Sequence, residues 1–165
     1  MPSVYLLFGS NVGNRVTNVR QAILSFVGRD LKLLQVSYFY ETAAWGNEFQ
    51  PSFLNVCARY KTELHPKEVL QLCKEIEERI GRQNRGRWQE REIDIDILYY
   101  GKKQVNDDDL IIPHPRLIQR NFALIPLKEI SPTKKHPVLH LTTTQLVKLC
   151  TDEKAVQKLR YKPKV

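Results

Sequence analysis

GRQNRGRWQEREIDIDILYYG, Gly81 to Gly101, sets two carboxylates, Asp94 and Asp96, one residue apart in a run that otherwise reads as a strand. Ile93, Ile95, Ile97 and Leu98 supply the β-branched and apolar residues, and alternation along a strand puts both aspartates on one face. Aspartate is a poor strand former and like charges side by side repel, so something positive is expected between them. Arg82, Arg85, Arg87 and Arg91 lie just upstream, with Trp88 among them. Taken alone, an Asp-x-Asp pair is more often a solvated or edge-protecting face, and four arginines are more often a solvated loop. Adjacent and of opposite sign, they point to a magnesium–nucleotide site: carboxylates for a divalent cation, arginine forks for phosphate.

The Asp strand closes a longer pattern. Before the arginine tract, Val69, Leu72, Cys73, Ile76 and Ile80 form the buried stripe of a helix opened by Pro66 and stopped by Gly81. Val4 to Phe8 reads as a central strand ending in the turn cluster Gly9-Ser10-Asn11. Val16, Val19, Ile23, Phe26 and Val27 share one helical face up to Gly28. Leu31 to Tyr40 and Leu54 to Leu64 read as strands around a loop from Ala43 to Ser52. Gly101 to Lys103 turns into a short return strand near Val105, Pro113 to Pro115 makes a rigid turn, and Asn121 to Ile130 is expected to be helical despite Pro126. Thr142 to Leu159 suggests one or two short helices. The order β-α-β-β-α-β predicts an α+β, ferredoxin-like domain: an antiparallel-rich sheet covered by helices in three αβα layers.

A chain of 165 residues suits a single domain over residues 1–165, with a weakly patterned helical part from about 131. No apolar run is long enough to span a bilayer, and the N-terminus lacks the basic region of a secretory signal. Cys57, Cys73 and Cys150 have no metal or disulfide spacing and read as buried thiols in a reducing cytoplasm. The net charge of +8 is compatible with nucleic acid, anionic membrane or phosphorylated small molecules, and does not choose among them.

Neither common glycine-rich phosphate cradle is present, so phosphate binding must rest on side chains. His114, held between Pro113 and Pro115, is a neutral-to-cationic donor, with Arg116 and Arg120 close behind. Phe53 and Phe122 are aromatic faces able to hold a planar heterocycle, and Asn55, near the start of an apolar strand, offers a donor-plus-acceptor amide to its edge.

GSN near the N-terminus, SYFYET, QPSFLN, the arginine loop, EIDIDILYYG and IPHPRLIQRNF stand in an order that resembles the 6-hydroxymethyl-7,8-dihydropterin pyrophosphokinases of folate biosynthesis. The resemblance runs from about Val4 to Ile130. It implies transfer of pyrophosphate from ATP to the pterin hydroxymethyl group, with release of AMP. It implies two magnesium ions on Asp94 and Asp96, catalytic roles for Arg82 and Arg91 beside them, and phosphate contacts from Arg82, Arg91, His114 and Arg120. Arg87 and Trp88 would lie in a mobile loop over the nucleotide, Glu77 beside it, and Ile97 and Ile111 near the adenine. The pterin would sit between Phe53 and Phe122, with Asn55 at its edge and Thr42 and Trp45 in the lining loop.

This chain departs from the family pattern in places. Gln89-Glu90 stands where Gly-Pro commonly follows the loop tryptophan, the loop is about one residue shorter, and Ala43-Ala44 stands where a proline is frequent. No metal ligand is lost. The expected partners are the two small-molecule substrates, with no nucleic acid, no membrane and a monomeric state. A ferredoxin-like RNA-binding module and a metal-dependent phosphohydrolase are the competing readings. Aspartates on the central strand would repel a nucleic-acid backbone, which counts against the first.

Overall fold

The computed structural model describes residues 1–44, 49–87 and 89–165. Its elements are β1 (Ser3–Ser10), α1 (Arg15–Phe26), β2 (Leu31–Val36), β3 (Tyr40–Thr42), β4 (Phe53–Thr62), α2 (Pro66–Ile80), β5 (Asp94–Tyr100), β6 (Val105–Asn106), β7 (Ile111–Ile112), α3 (Asn121–Ile130), α4 (Thr143–Leu149) and β8 (Val156–Lys158), with a 3-10 turn at Leu117–Gln119. Among the described residues one antiparallel sheet runs β5-β1-β4-β3-β8, and β2 also pairs with β4.

Alternation along the central strands builds two cores. Val4, Leu6 and Phe8 of β1 and Leu54, Val56, Ala58 and Tyr60 of β4 face one way, onto Val19, Ile23 and Phe26 of α1 and Val69, Cys73 and Ile76 of α2. Tyr5 and Leu7 of β1 and Cys57 of β4 face the other way, onto Ala123, Leu124 and Leu127 of α3 and Leu146 of α4. A period-2 strand with apolar residues on both faces must be covered on both, which gives the three αβα layers. Leu6 pairs with Ile97 but Tyr5 with Tyr99, so Leu98 is an inserted residue; this bulge turns both Leu98 and Tyr99 toward α3.

Several expectations are corrected. The strand expected over Leu31 to Tyr40 is divided. Val36 pairs with Ala58 and Tyr40 with Asn55, so residues 37–39 face only residues 56 and 57 of β4. The Ser37 hydroxyl accommodates the extra residue by accepting from the Cys57 N–H (3.0 Å) and donating to the Tyr38 carbonyl (2.8 Å). Val16 and Val27 are not on the buried face of α1. Val19, Ala22, Ile23 and Phe26 are, while Val27 follows the last helical turn and is 50% exposed. The return strand at Val105 does not fold back on β5; it pairs with β7 as a separate two-stranded hairpin. The tail forms one helix and then the strand β8, not helices alone, because the free edge of β3 offers its N–H and C=O groups for pairing. Cys57 and Cys73 are buried free thiols, but Cys150 is only half-buried. No helix of the described residues is long and apolar enough to cross a membrane.

Candidate active site

The site lies on the α3 face of the sheet, where β1, β4 and β5 begin or end together. Gly9 of β1 pairs with Asp94 of β5 on one side and Asn55 of β4 on the other. A Cβ at Gly9 would lie 2.9 Å from Asn55 Oδ1, so only glycine leaves the amide its place. A cavity of about 390 Å³ opens above this floor. Asp94, Asp96, Arg87, Arg91, His114, Arg116 and Arg120 line one part, and Thr42, Phe53, Asn55 and Phe122 another.

The carboxylates are crowded by cations. Arg91 Nη1 lies 3.0 Å from Asp94 Oδ2, and Arg82 Nη1 3.5 Å from Asp94 Oδ1. Helix geometry positions Arg82: α2 ends at Gly81 with φ +101°, a left-handed cap suited to glycine, and the next N–H, that of Arg82, donates to the Glu77 carbonyl (3.0 Å). That turn brings the guanidinium 2.6 Å from Glu77 Oε2. The other oxygen of Glu77 accepts from the Ile95 N–H (2.8 Å) and ties α2 to the Asp strand. Burial is the main influence on Glu77 and holds its carboxyl above the usual range, against the opposing pull of Arg82. Asp96 is raised further, first by burial and then by the charge on Asp94.

His114 is held so that its state can be assigned. The Arg116 N–H donates to His114 Nδ1 (3.2 Å), which leaves the ring proton on Nε2, 3.8 Å from Asp96 Oδ1. Burial and then Arg120 depress the imidazole to about 4. It is therefore a neutral donor near pH 7, which narrows the neutral-to-cationic range expected of it.

On the other part, Asn55 is 3% exposed and its Nδ2 donates to Thr42 Oγ1 (2.8 Å). Phe53 and Phe122 are half-buried beside it, and the Arg120 guanidinium lies 5.4 Å from the Phe122 ring centroid. The loops that carry the two parts are joined at Asn11, which the sequence places in a turn cluster and in the GSN motif without assigning it a role. Asn11 Oδ1 accepts from the Arg91 N–H (2.8 Å), and its Nδ2 donates to Gln50 Oε1 (3.0 Å) and the Pro51 carbonyl (3.1 Å). It joins the loop before β5 to the loop before β4. Gly9 and Asn11 stand in the GSN motif but receive no individual role from the sequence, because glycine and asparagine are ordinary turn residues; only their partners, far along the chain, reveal the role.

Other expected site residues fall elsewhere. Glu77 and Arg82 line a neighbouring depression with Asn84, Arg85 and Glu90, and Arg91 borders both. Ile97 is buried in the core beneath α2, and Ile111 is exposed on β7; neither lines the cavity. Arg85 does not face the cavity but forks onto Glu92, at 2.6 and 3.0 Å. Trp45 and Trp88 lie outside the described residues.

The donor set fits magnesium. Among the described residues no third His, Cys, Asp or Glu joins the two aspartates in a metal cage. A hard cation bound by one or two carboxylates, with phosphate and water completing the shell, needs none. With four arginines against two aspartates, the cavity is suited to a polyanion.

Residues 5–132 match the family model described as 7,8-dihydro-6-hydroxymethylpterin-pyrophosphokinase (HPPK). The chain is 43% identical over 138 residues to the 2-amino-4-hydroxy-6-hydroxymethyldihydropteridine pyrophosphokinase of Aquifex aeolicus, across 84% of this chain and 86% of the relative. It is 42% identical over 127 residues to a mitochondrial folate synthesis bifunctional protein of Arabidopsis thaliana, across 77% of this chain but only 23% of that one. A crystal structure of Plasmodium falciparum HPPK-DHPS is similar with a TM-score of 0.68 at 19% identity, across 90% of this chain and 43% of that one, a likeness of fold.

Proposed function

Because the chain belongs to the 7,8-dihydro-6-hydroxymethylpterin-pyrophosphokinase family, we propose that it transfers pyrophosphate from ATP to 6-hydroxymethyl-7,8-dihydropterin in folate biosynthesis. The products are the pterin diphosphate, AMP and a proton. The observation that carries this reading is one cavity with a carboxylate–arginine part beside an aromatic–amide part.

The pterin hydroxyl oxygen forms a bond to the β-phosphorus of ATP while the bond from that phosphorus to the α–β bridging oxygen breaks and AMP leaves. Positioning and charge stabilisation supply most of the catalysis in such a transfer. Asn55, its amide oriented by Thr42, reads the heterocycle edge, and Phe53 and Phe122 hold its faces. Arg87, Arg91 and Arg120 meet the phosphates as forked donors, and His114 adds a neutral N–H. Arg82 draws its charge toward the same place through Asp94, and Glu77 orients Arg82. Asp94 and Asp96 would hold the magnesium ions, two in this reading, that neutralise triphosphate charge when bound.

Two buried free thiols support a reducing, cytoplasmic setting. The test is AMP release from ATP and magnesium with and without added 6-hydroxymethyl-7,8-dihydropterin. AMP formed only with the pterin, together with a pterin diphosphate, supports the reading. Free phosphate or pyrophosphate formed without pterin would favour a phosphohydrolase and overturn it.

A further inference from the structure

Residues 133–165 lie beyond the family match, yet a short stretch of them contacts both α3 and β3, the elements that bring Phe122 and Thr42 to the pterin part of the cavity. At one end is Asp152. The Asn121 N–H donates to Asp152 Oδ2 (3.0 Å), Asn121 Nδ2 donates to the Asp152 carbonyl (2.7 Å), and the Lys154 N–H donates to Oδ1 (3.0 Å). Asn121 is the first residue of α3, whose first N–H groups have no intrahelical acceptor. The residue before it, Arg120, makes no side-chain cap hydrogen bond. The cap therefore comes from 31 residues downstream, and a carboxylate there also matches the positive end of the helix. Arg120 and Phe122, the two neighbours of Asn121, both line the cavity.

At the other end, Val156, Gln157 and Lys158 pair with Thr42, Glu41 and Tyr40. Three-residue β3 is thereby held between β4 and β8, and Thr42 is the residue that orients the Asn55 amide. Glu129, near the far end of α3, fastens that helix to the same β3–β8 pair: it accepts from the Tyr40 hydroxyl (2.8 Å) and lies 3.7 Å from Lys158 Nζ.

We propose that Asp152 is a positioning residue for the acceptor subsite, capping α3 from the tail so that Phe122, with Arg120 packed on it, stands opposite the strand-borne Asn55 and Thr42. This rests on the pterin reading of the cavity. Asp152 touches no substrate and acts through Asn121.

The test is a calorimetric titration of the full chain with 6-hydroxymethylpterin, in magnesium and a non-transferring α,β-methylene ATP analogue, comparing Asp152→Ala with Asp152→Asn. Loss of the cap is expected to weaken pterin binding about fivefold in Asp152→Ala. Asp152→Asn retains an oxygen for the Asn121 N–H and is expected to bind within about twofold of the unaltered protein. In turnover, the KM for the dihydropterin rises more than that for ATP. Unchanged pterin affinity in Asp152→Ala overturns the proposal. So does an Asn variant as weak as the Ala variant, because the retained acceptor would then not matter. An Ala variant that loses its fold also overturns it, since a brace on the cavity alone leaves both cores intact. If the unaltered chain binds no pterin, the functional reading itself fails; if it binds and Asp152→Ala binds equally, only the positioning role fails.

Discussion

Replacing Asn11 with alanine tests whether the two parts of the cavity are mechanically joined. Asn11 is 2% exposed, and its side chain makes three hydrogen bonds, at 2.8, 3.0 and 3.1 Å. Their partners are the Arg91 N–H, Gln50 Oε1 and the Pro51 carbonyl. At a net worth of about 1 kcal/mol each, their loss destabilises the protein by about 3 kcal/mol. That is a large share of the roughly 5–15 kcal/mol that holds a typical domain folded. The backbone bond from the Asn11 N–H to the Arg91 carbonyl (3.1 Å) survives, so the base of the arginine loop stays close to β1. What is lost is its connection to the loop that leads into Phe53 and Asn55. Urea denaturation of the empty protein measures the first effect. Titration of pterin with and without the α,β-methylene ATP analogue measures the second: nucleotide binding is expected to strengthen pterin binding less in Asn11→Ala than in the unaltered protein. A destabilisation below about 1 kcal/mol, with the same coupling between ligands, would refute the reasoning.

Asp96→Asn is expected to lower turnover by roughly a hundredfold or more, since even partners outside a metal's own ligands carry effects approaching that size. The empty variant should be more stable by up to about 2 kcal/mol, the repulsion of two carboxylates about 7 Å apart at an effective dielectric of about 20; near-full activity, or a less stable empty protein, would contradict the assignment. Gly9→Ala places a Cβ 2.9 Å from Asn55 Oδ1, and the displaced amide should raise the pterin KM about tenfold while affinity for the nucleotide analogue moves little. Equal losses for both ligands would argue against Gly9 serving the acceptor side. Glu92 is depressed to about 2, chiefly by its hydrogen bonds from Arg85. A lowered carboxylate contributes stability above its unfolded pKa and loses it as pH falls through the folded value, so Glu92→Gln should be destabilising near pH 7, with the gap closing between about 4.5 and 2. A gap independent of pH in thermal melts would show that the ionic state of this loop contact is irrelevant.

Local patterns carried much of this molecule in plain sight. A compact apolar run marked β1, apolar-rich stretches marked β4 and β5, the stripe from Val69 to Ile80 with Pro66 and Gly81 at its ends marked α2, and Asn121 to Ile130 marked α3, because caps, turns and side-chain periodicity act between residues a few positions apart. The facing of Asp94 and Asp96 followed from the same alternation, and the type of each side chain announced its chemistry. Tertiary structure alone decided what depends on partners distant in the chain. The division of β2 from β3 follows from the spacing of their contacts along β4, and the short tail strand β8 exists because β3 leaves an edge to pair with. Turn-forming residues came to serve the cavity in the same way: Gly9 lines it because Asn55 comes to lie beside it, and Asn11 ties together its lining residues Arg91 and Gln50 from behind. A hydrogen bond between residues dozens of positions apart leaves no periodic trace in either segment, so its meaning arises only when the sheet brings the two together.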